Sequence, residues 1–529
     1  MQDCERTRLI CKQIVIMGPN ESLSTVELES SEAIRFYGVQ LPGSRSSLVE
    51  NLSRDVLGVP VDDKSLALLQ QDIQAHYQKN HHPLVFVSIP EQEITSGILQ
   101  VRVAESAVGK IGVEGNRHTS SQLLKNYLGV NPGDSIDTRK LEKNLDFINR
   151  NPFRRVNLIY APGQDQNTTD LSLMVEDRRF LRSYVGADNS GVETTDRGRF
   201  IAGVNSSKFL KFDHFLTYQY TSSWDFHHFQ AHTLQYIALL SWKHLLNAYG
   251  GVSWVNAKLP APSTRNNGAS YQASGRYIIP ITPWGALRHE WGFGFDFKRT
   301  NNNILFSELY PKFGQNVNLS QFIGHYAGNW HASRHLLDYN FELFGSPGAI
   351  LGDESNAAYD KLRPFAKNYW IYAKGFVKYL YKFPAPLNMM CFIRGQVSSQ
   401  NLLPSEQIGL GGFDSVRGYD ERQLNYDSGL IVNFELSSAA FSAVSNLTRF
   451  KGWRDNLQFL MFLDYGLGAN HNLLPGEKIF DYLLGAGPAV RYLIDPWLTA
   501  RLDLGFKLHK NLSYTGGNAM WYFSLVTSY

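Results

Sequence analysis

From about residue 180 to the end of the chain, apolar and polar residues alternate with a period of two. Trp291, Phe293, Phe295 and Phe297 fall on one side of their segment, and Gly292, Gly294, Asp296 and Lys298 on the other. Leu457, Phe459, Met461, Leu463 and Tyr465 oppose Gln458, Phe462, Asp464 and Gly466. Ala500, Leu502, Leu504, Phe506 and Leu508 oppose Arg501, Asp503, Lys507 and His509. Successive strand side chains point to opposite faces, so each segment has one greasy and one wet face. A soluble sandwich has the same period, but its core would not be filled so consistently by large aromatics. Of 10 Trp, 27 Tyr and 32 Phe, only eight precede residue 179, and every Trp follows it, from Trp224 to Trp521. Alternation with this excess of aromatics and glycine predicts a transmembrane β-barrel with aromatic girdles. No uncharged apolar run reaches the roughly 18 residues a spanning helix needs.

The alternation marks about 16 strands between 180–188 and 519–529, an even number that lets an antiparallel barrel close with both ends on one side. The connections alternate in length as well. Tight turns at 281–286, 332–333, 384–385 and 495–496 are interleaved with longer loops near 300–317, 346–367, 399–427, 467–480 and 510–518. Short periplasmic turns and long outer loops are the habit of outer-membrane barrels. The connection 439–455 is long on the side where turns should be short, and the pattern gives no reason for it. The last strand puts Trp521, Phe523, Leu525, Thr527 and Tyr529 on one face.

The first 178 residues read as ordinary α+β. Leu66, Leu69, Ile73 and Tyr77 recur at helical spacing after Asp62 and Asp63, and strands at 84–89 and 98–103 follow. A second module repeats the plan: strand 110–114, helices near 120–128 and 137–149, strands 156–161 and 171–175. The order β-α-α-β-β is that of POTRA domains. The segment 18–50 is longer than this plan requires. Asp3, Glu5, Lys12 and Gln13 spoil any reading of the first residues as a secretory signal. A barrel of this kind crosses an inner membrane, so its signal segment is expected to lie outside this sequence.

Three stretches make the reading specific: Ile89-Pro90-Glu91-Gln92 with Gly97 and a closing strand, Gly411-Gly412-Phe413-Asp414-Ser415-Val416-Arg417-Gly418-Tyr419, and Phe462-Leu463-Asp464-Tyr465-Gly466. Together they resemble the two-partner secretion transporters, the haemolysin secretion/activation (ShlB/FhaC/HecB) family of the POTRA-barrel superfamily. The resemblance implies POTRA domain 1 at 1–105, POTRA domain 2 at 106–178 and a barrel at 179–529, with a lid loop at about 399–427 folded into the pore. It implies that Gly411, Gly412, Val416, Arg417, Gly418 and Tyr419 form the lid motif, that Phe462, Asp464 and Gly466 form the wall that anchors it, and that Pro90, Gln92 and Gly97 belong to a client-binding POTRA motif. It implies export of an unfolded exoprotein bearing an N-terminal secretion domain, from the periplasm through the outer membrane. Members often carry an N-terminal plug helix, for which few residues are available here.

The residues support an anchor independently. Alternation turns Asp464 to the lumen, and Arg417 offers a fork of donors that matches a carboxylate. An Arg417–Asp464 ion pair is therefore expected. Alternatively, Arg417 is a solvated loop residue and Asp464 pairs with another lumen base.

No catalytic or cofactor motif emerges, and no enzyme activity, metal or cofactor is expected. His228 and His232 lack a third zinc ligand, which leaves a girdle or lumen role. His289-Glu290 has no second His. Fifty-one basic and 48 acidic residues give a net charge of +3, which does not suggest nucleic acid. Cys4, Cys11 and Cys391 are too few for a disulfide framework. The expected partners are the exoprotein and outer-membrane lipid, and the chain is expected to be a monomer. The main alternative is an assembly factor of the same superfamily that inserts other barrels, although such insertases usually carry more POTRA domains. A passive porin and a secreted β-rich enzyme are weaker alternatives.

Overall fold

The structure is a computed structural model that describes residues 9–23, 32–209, 213–258, 266–300, 317–384, 386–444, 454–473, 478–509 and 517–529. The chain forms two compact units, Met1–Arg178 and Arg179–Tyr529. Residues 1–8, on which the expectation about a plug helix bears, lie outside the described residues.

The first module of the N-terminal unit contains β1 (Gln13–Met17), β2 (Ile34–Tyr37), α1 (Arg45–Asp55), α2 (Asp63–Lys79), β3 (Val85–Ser88) and β4 (Ile98–Glu105). Its sheet runs β2-β1-β4-β3, with β1 parallel to both neighbours. Helix α2 starts where Asp62 accepts the Ser65 backbone N–H and the Ser65 hydroxyl accepts the Asp62 N–H. That reciprocal cap satisfies two otherwise orphaned donors. Leu69, Ile73 and Tyr77 then pack on Ile14, Ile16, Leu99 and Val101. The sequence pattern suggests no element within 18–50, and 9–17 reads as an apolar stretch too short and broken for a signal. The structure places two strands and the start of α1 there. Gln13 interrupts the apolar run, yet it is buried with its amide donating to the Glu32 carbonyl at 2.8 Å. A buried polar group that finds a partner does not break a strand.

The second module contains β5 (Ala107–Glu114), α3 (Ser121–Leu128), α4 (Thr138–Ile148), β6 (Arg154–Pro162) and β7 (Thr168–Asp177), with sheet order β5-β7-β6. Asp177, at the end of β7, accepts the backbone N–H groups of Arg117, His118 and Thr119 at 2.9, 2.8 and 3.0 Å. Burial pushes its carboxyl upward, but these donors outweigh burial and hold it below the usual carboxylate range.

The C-terminal unit is a closed ring of sixteen antiparallel strands. In chain order these are β8 (Leu181–Asp188), β9 (Arg199–Ser206), β10 (His214–Ser223), β11 (Phe229–Leu239), β12 (Leu245–Ala257), β13 (Asn266–Pro280), β14 (Leu287–Thr300), β15 (Val317–His331) and β16 (His335–Pro347). After α5 (Asn356–Leu362) come β17 (Tyr369–Lys382), β18 (Leu387–Ser398), β21 (Ser428–Ser438), β22 (Arg454–Ala469), β23 (Phe480–Asp495), β24 (Leu498–Lys507) and β25 (Ala519–Ser528). Two short strands, β19 (Ile408–Leu410) and β20 (Leu424–Tyr426), pair with each other inside the loop that separates β18 from β21. The last strand closes on the first, Ser524 opposite Asp188 and Ser528 opposite Tyr184. A closed ring leaves no edge to satisfy, which is the condition for crossing a bilayer with strands. The two faces are those the alternation predicts: Met461, Leu502 and Trp521 are more than half exposed on the outside, while Asp464 and Asp503 are fully buried on the inside. The described start of the long 439–455 connection turns back on β22, with Phe441 bridged to Leu457 and Asp455 accepting the Ala443 N–H at 2.7 Å. Residues 445–453 lie outside the described residues.

Candidate functional site

The loop 399–427 lies within the barrel. Ile408, Leu410, Val416, Tyr419 and Tyr426 bury themselves against Ile431 of β21 and Leu483 of β23. Gly411, Gly412 and Gly418 have φ of 100°, 107° and 106°, a region that favours glycine. The chain can therefore turn twice around Val416–Tyr419 and press its backbone to the wall. The wall matches it. A Cβ on Gly485 would collide with the Arg417 carbonyl, and one on Gly505 with the Gly418 backbone nitrogen.

Arg417 donates through Nε and Nη2 to the two oxygens of Asp464 at 2.7 and 2.8 Å, and its backbone N–H adds a third bond at 3.0 Å. Nη1 reaches Glu435 of β21 at 2.7 Å. The guanidinium lies 3.6 Å from the centroid of the Phe462 ring. Asp464 is fully buried and also accepts from Asn433 at 2.8 Å. Asp503 of β24, 3.6 Å from Arg417, is bound by Arg491 and Arg501. Arg501 returns to the loop, donating to Asp414 at 2.8 Å and to the Phe413 carbonyl at 2.7 Å. Three guanidiniums thus face three carboxylates of the wall, Glu435, Asp464 and Asp503, and the exposed Asp414 of the loop. A buried charge is tolerable only when paired and hydrogen-bonded, and this set meets that condition. Gly418 N–H donates to the Tyr522 hydroxyl at 2.9 Å, which donates to the Tyr419 carbonyl at 2.6 Å. The Tyr419 hydroxyl lies 2.5 Å from the His509 carbonyl.

The outer part of the loop has its own fastenings. Asp427 accepts both arms of Arg363, which follows α5, and the Leu402 N–H at 2.9 Å. Glu406 takes Lys298 of β14 at 2.8 Å and the Tyr372 hydroxyl of β17 at 2.7 Å. Helix α5 packs Tyr359 among Val317, Leu319, Trp370 and Leu403, so loop 348–368 helps fill the barrel mouth.

Across the lumen, among the described residues, the inner faces of β10–β12 carry no charged side chain, and β13 adds Arg276, paired with Asp296 of β14 at 2.8 Å. Directly opposed residues form the rows Gln219, Thr233, Gly251, Gln272 and Thr217, Gln235, Tyr249, Ser274. Most of these residues, with Lys298 and Ser405 of loop 399–427, line a cleft of about 560 Å3.

Gly411, Gly412, Val416, Arg417, Gly418 and Tyr419 thus gather against Phe462, Asp464 and Gly466, where a Cβ on Gly466 would lie 2.7 Å from Val416 Cγ2. Pro90, Gln92 and Gly97 form a separate turn in the N-terminal unit. There Gln92 donates to the Gln100 carbonyl and accepts its N–H, both at 2.7 Å. Gly97 has φ of 80°, and its carbonyl accepts the Lys12 N–H at 2.8 Å. His228 pairs with Asp225 and His232 with the Tyr218 hydroxyl; among the described residues no cluster suits a metal. Sequence reasoning missed Asn433, Glu435, Arg491, Asp503 and Tyr522. The available signal was the strand alternation, which puts Glu435 and Asp503 on the lumen side as it does Asp464.

The chain resembles known proteins throughout. Residues 354–491 match the family model of the haemolysin secretion/activation protein ShlB/FhaC/HecB, residues 34–106 a ShlB-type POTRA domain, and residues 106–178 a POTRA surface-antigen repeat. The heme/hemopexin transporter protein HuxB of Haemophilus influenzae is 22% identical over 79% of this chain and 72% of its own. The outer membrane transporter CdiB of Dickeya dadantii is 22% identical over 83% of this chain and 76% of its own. Among solved structures, CdiB from Escherichia coli aligns with all of this chain and 92% of its own at a TM-score of 0.80 and 15% identity. CdiB from Acinetobacter baumannii aligns with 98% of this chain and 90% of its own at a TM-score of 0.71 and 18% identity. With two POTRA domains, a sixteen-stranded barrel and a ShlB/FhaC/HecB domain matched over 354–491, the chain is an outer-membrane protein whose homologues are the two-partner secretion transporters HuxB and CdiB.

Proposed function

We propose that this transporter exports an unfolded haemolysin- or adhesin-like exoprotein, recruited in the periplasm by its POTRA modules through an N-terminal secretion domain. The observation that carries the reading is the asymmetry of the lumen. The charged wall of β21–β24 holds the lid, while the opposite wall of β10–β12 is neutral and polar and the adjoining cation, Arg276 of β13, is paired with Asp296. An extended chain carries unpaired N–H and C=O groups, which Ser, Thr and Gln can exchange for water without tight binding. The client passes along the neutral wall once the lid leaves the charged one. Strand addition to an exposed sheet edge, such as β2 or β3, suits recruitment of an extended segment. Pro90, Gln92 and Gly97 enter this reading as the residues that shape the turn before β4. The periplasm supplies no nucleotide, so folding of the client outside gives the direction. The protein acts as a monomer and carries out no reaction of its own.

The test is co-expression with an exoprotein that carries an N-terminal secretion domain. Client in the medium, lost when the transporter is removed while other outer-membrane proteins keep their levels, supports export. A general fall in outer-membrane barrels instead points to an assembly factor.

A further inference from the structure

Loop 399–427 is fastened to the barrel in two places. Its tip is held at the Arg417 site on β21–β24. Its base is held at Glu406, and there the polarity is reversed: the loop supplies the carboxylate and the barrel the donors. Glu406 accepts from Lys298 Nζ of β14 at 2.8 and 3.0 Å, from Gln321 Nε2 of β15 at 3.2 Å and from the Tyr372 hydroxyl of β17 at 2.7 Å. Gln396 of β18 donates to the Glu406 carbonyl at 2.9 Å. The carboxylate is buried, so separating it from Lys298 leaves two charges unpaired in a buried site. Apolar packing adds to the base, where Leu402 and Leu403 join Tyr359, Trp370 and Tyr372 in one cluster.

Between base and tip the loop is bonded to itself. Ile408, Gly409 and Leu410 pair with Tyr426, Asn425 and Leu424. Arg422 donates through Nη2 to the Gln407 carbonyl at 2.9 Å and through its backbone N–H to the Gly411 carbonyl at 3.1 Å. Phe413 N–H donates to the Glu421 carboxylate at 2.9 Å. None of these bonds uses the wall, so release of the tip does not break them. The covalent chain distinguishes the two ends. Asp427 directly precedes β21, and Ile408 is paired with Tyr426 beside it, which keeps the base at the wall. Arg417 stands ten positions before Asp427, so a small turn at the base carries the tip far from β22.

We propose that Glu406 is a positioning residue, the pivot on which hairpin 408–426 turns when the Arg417 catch opens. The proposal rests on the reading of this loop as the lid of an export path. Lys298, Gln321 and Tyr372 hold the base against β14–β17 while the tip leaves β21–β24. The loop swings as one piece and stays within the barrel mouth.

The test compares two tethers of the full chain in planar bilayers, with the native cysteines replaced. Ile408→Cys and Gly429→Cys join the base to β21, where a Cβ on Gly429 lies 2.9 Å from Ile408 Cγ2. Val416→Cys and Gly466→Cys join the tip to β22. Heat-modifiable gel mobility checks that each barrel is closed, and dibromobimane bridges any pair that does not oxidise. The closed base tether should leave the openings of its reduced form unchanged, whereas the closed tip tether should abolish them. Glu406→Gln should add partial openings, and the base tether introduced into that variant should remove them, a rescue that a residue serving only barrel stability would not show. Openings lost with the base tether, or partial openings of Glu406→Gln that persist through it, would overturn the pivot. Openings that survive the tip tether would overturn it too, since the hairpin then need not move. The openings need no client, so the expected tether behaviour without export of a co-expressed exoprotein would remove the export reading and support the pivot.

Discussion

At the scale of single residues, the docking of loop 399–427, the proposed lid, depends on a charge balance. Arg417→Ala removes one of three guanidiniums and leaves Asp464 and Glu435 under-compensated in a buried site. Breaking such a pair costs on the order of 3–5 kcal/mol. The lid should undock, and planar-bilayer recordings should show larger or more frequent openings than in the wild type. Unchanged conductance together with unchanged export would count against an anchoring role. Arg417→Lys should behave almost like the alanine variant, since an ammonium cannot match both Asp464 oxygens with parallel bonds. Asp177 makes a separate prediction in the second POTRA module. Its carboxyl titrates below the ordinary carboxylate range of about 3.9, so its stabilisation is present above that range and lost as the pH falls through the lowered value. Asp177→Ala should cost about 1–3 kcal/mol locally, for three donors that lose their acceptor. Hydrogen exchange at residues 117–119 should accelerate in that variant at neutral pH, and in the wild type only in acid.

At the scale of elements, legibility in the sequence followed burial on one face. The sixteen barrel strands could be read because lipid and lumen impose opposite demands at every second residue. Helix α2 could be read because Leu69, Ile73 and Tyr77 share one stripe. β1 could not. All five of its residues are buried, Gln13 included, so it shows neither alternation nor a clean apolar run. Helix α1 buries only Leu48 and Leu52 among serines, arginines and a glutamate, a pattern close to that of a loop. β1 nevertheless lies between β2 and β4 in the sheet, with Ile14 and Ile16 fully buried. Ile16→Asp should therefore melt the first module while sparing the second. Limited proteolysis of the full chain should cut first within 34–105 and leave 107–177 intact.

At the scale of the whole molecule, part of the candidate site was legible and part was not, for one physical reason. Arg417 and Asp464 carry a recognisable motif and a strand parity, so their meeting could be anticipated. Lys298 and Glu406, or Arg363 and Asp427, carry no local pattern. Lys298 and Glu406 meet only because loop 399–427 folds back against β14, and Arg363 and Asp427 only because two loops fold into the same barrel mouth. Arg363→Ala should loosen the outer part of the lid and leave the Arg417 anchor in place, giving partial rather than full openings in single-channel records. The most direct measurement tethers the lid to its wall. With the native cysteines replaced, Val416→Cys and Gly466→Cys place two thiols at a close lid–wall contact of the motif. Client export should stop when the pair is oxidised and return on reduction. Undiminished export through the oxidised, cross-linked barrel would contradict a path that opens by release of the lid.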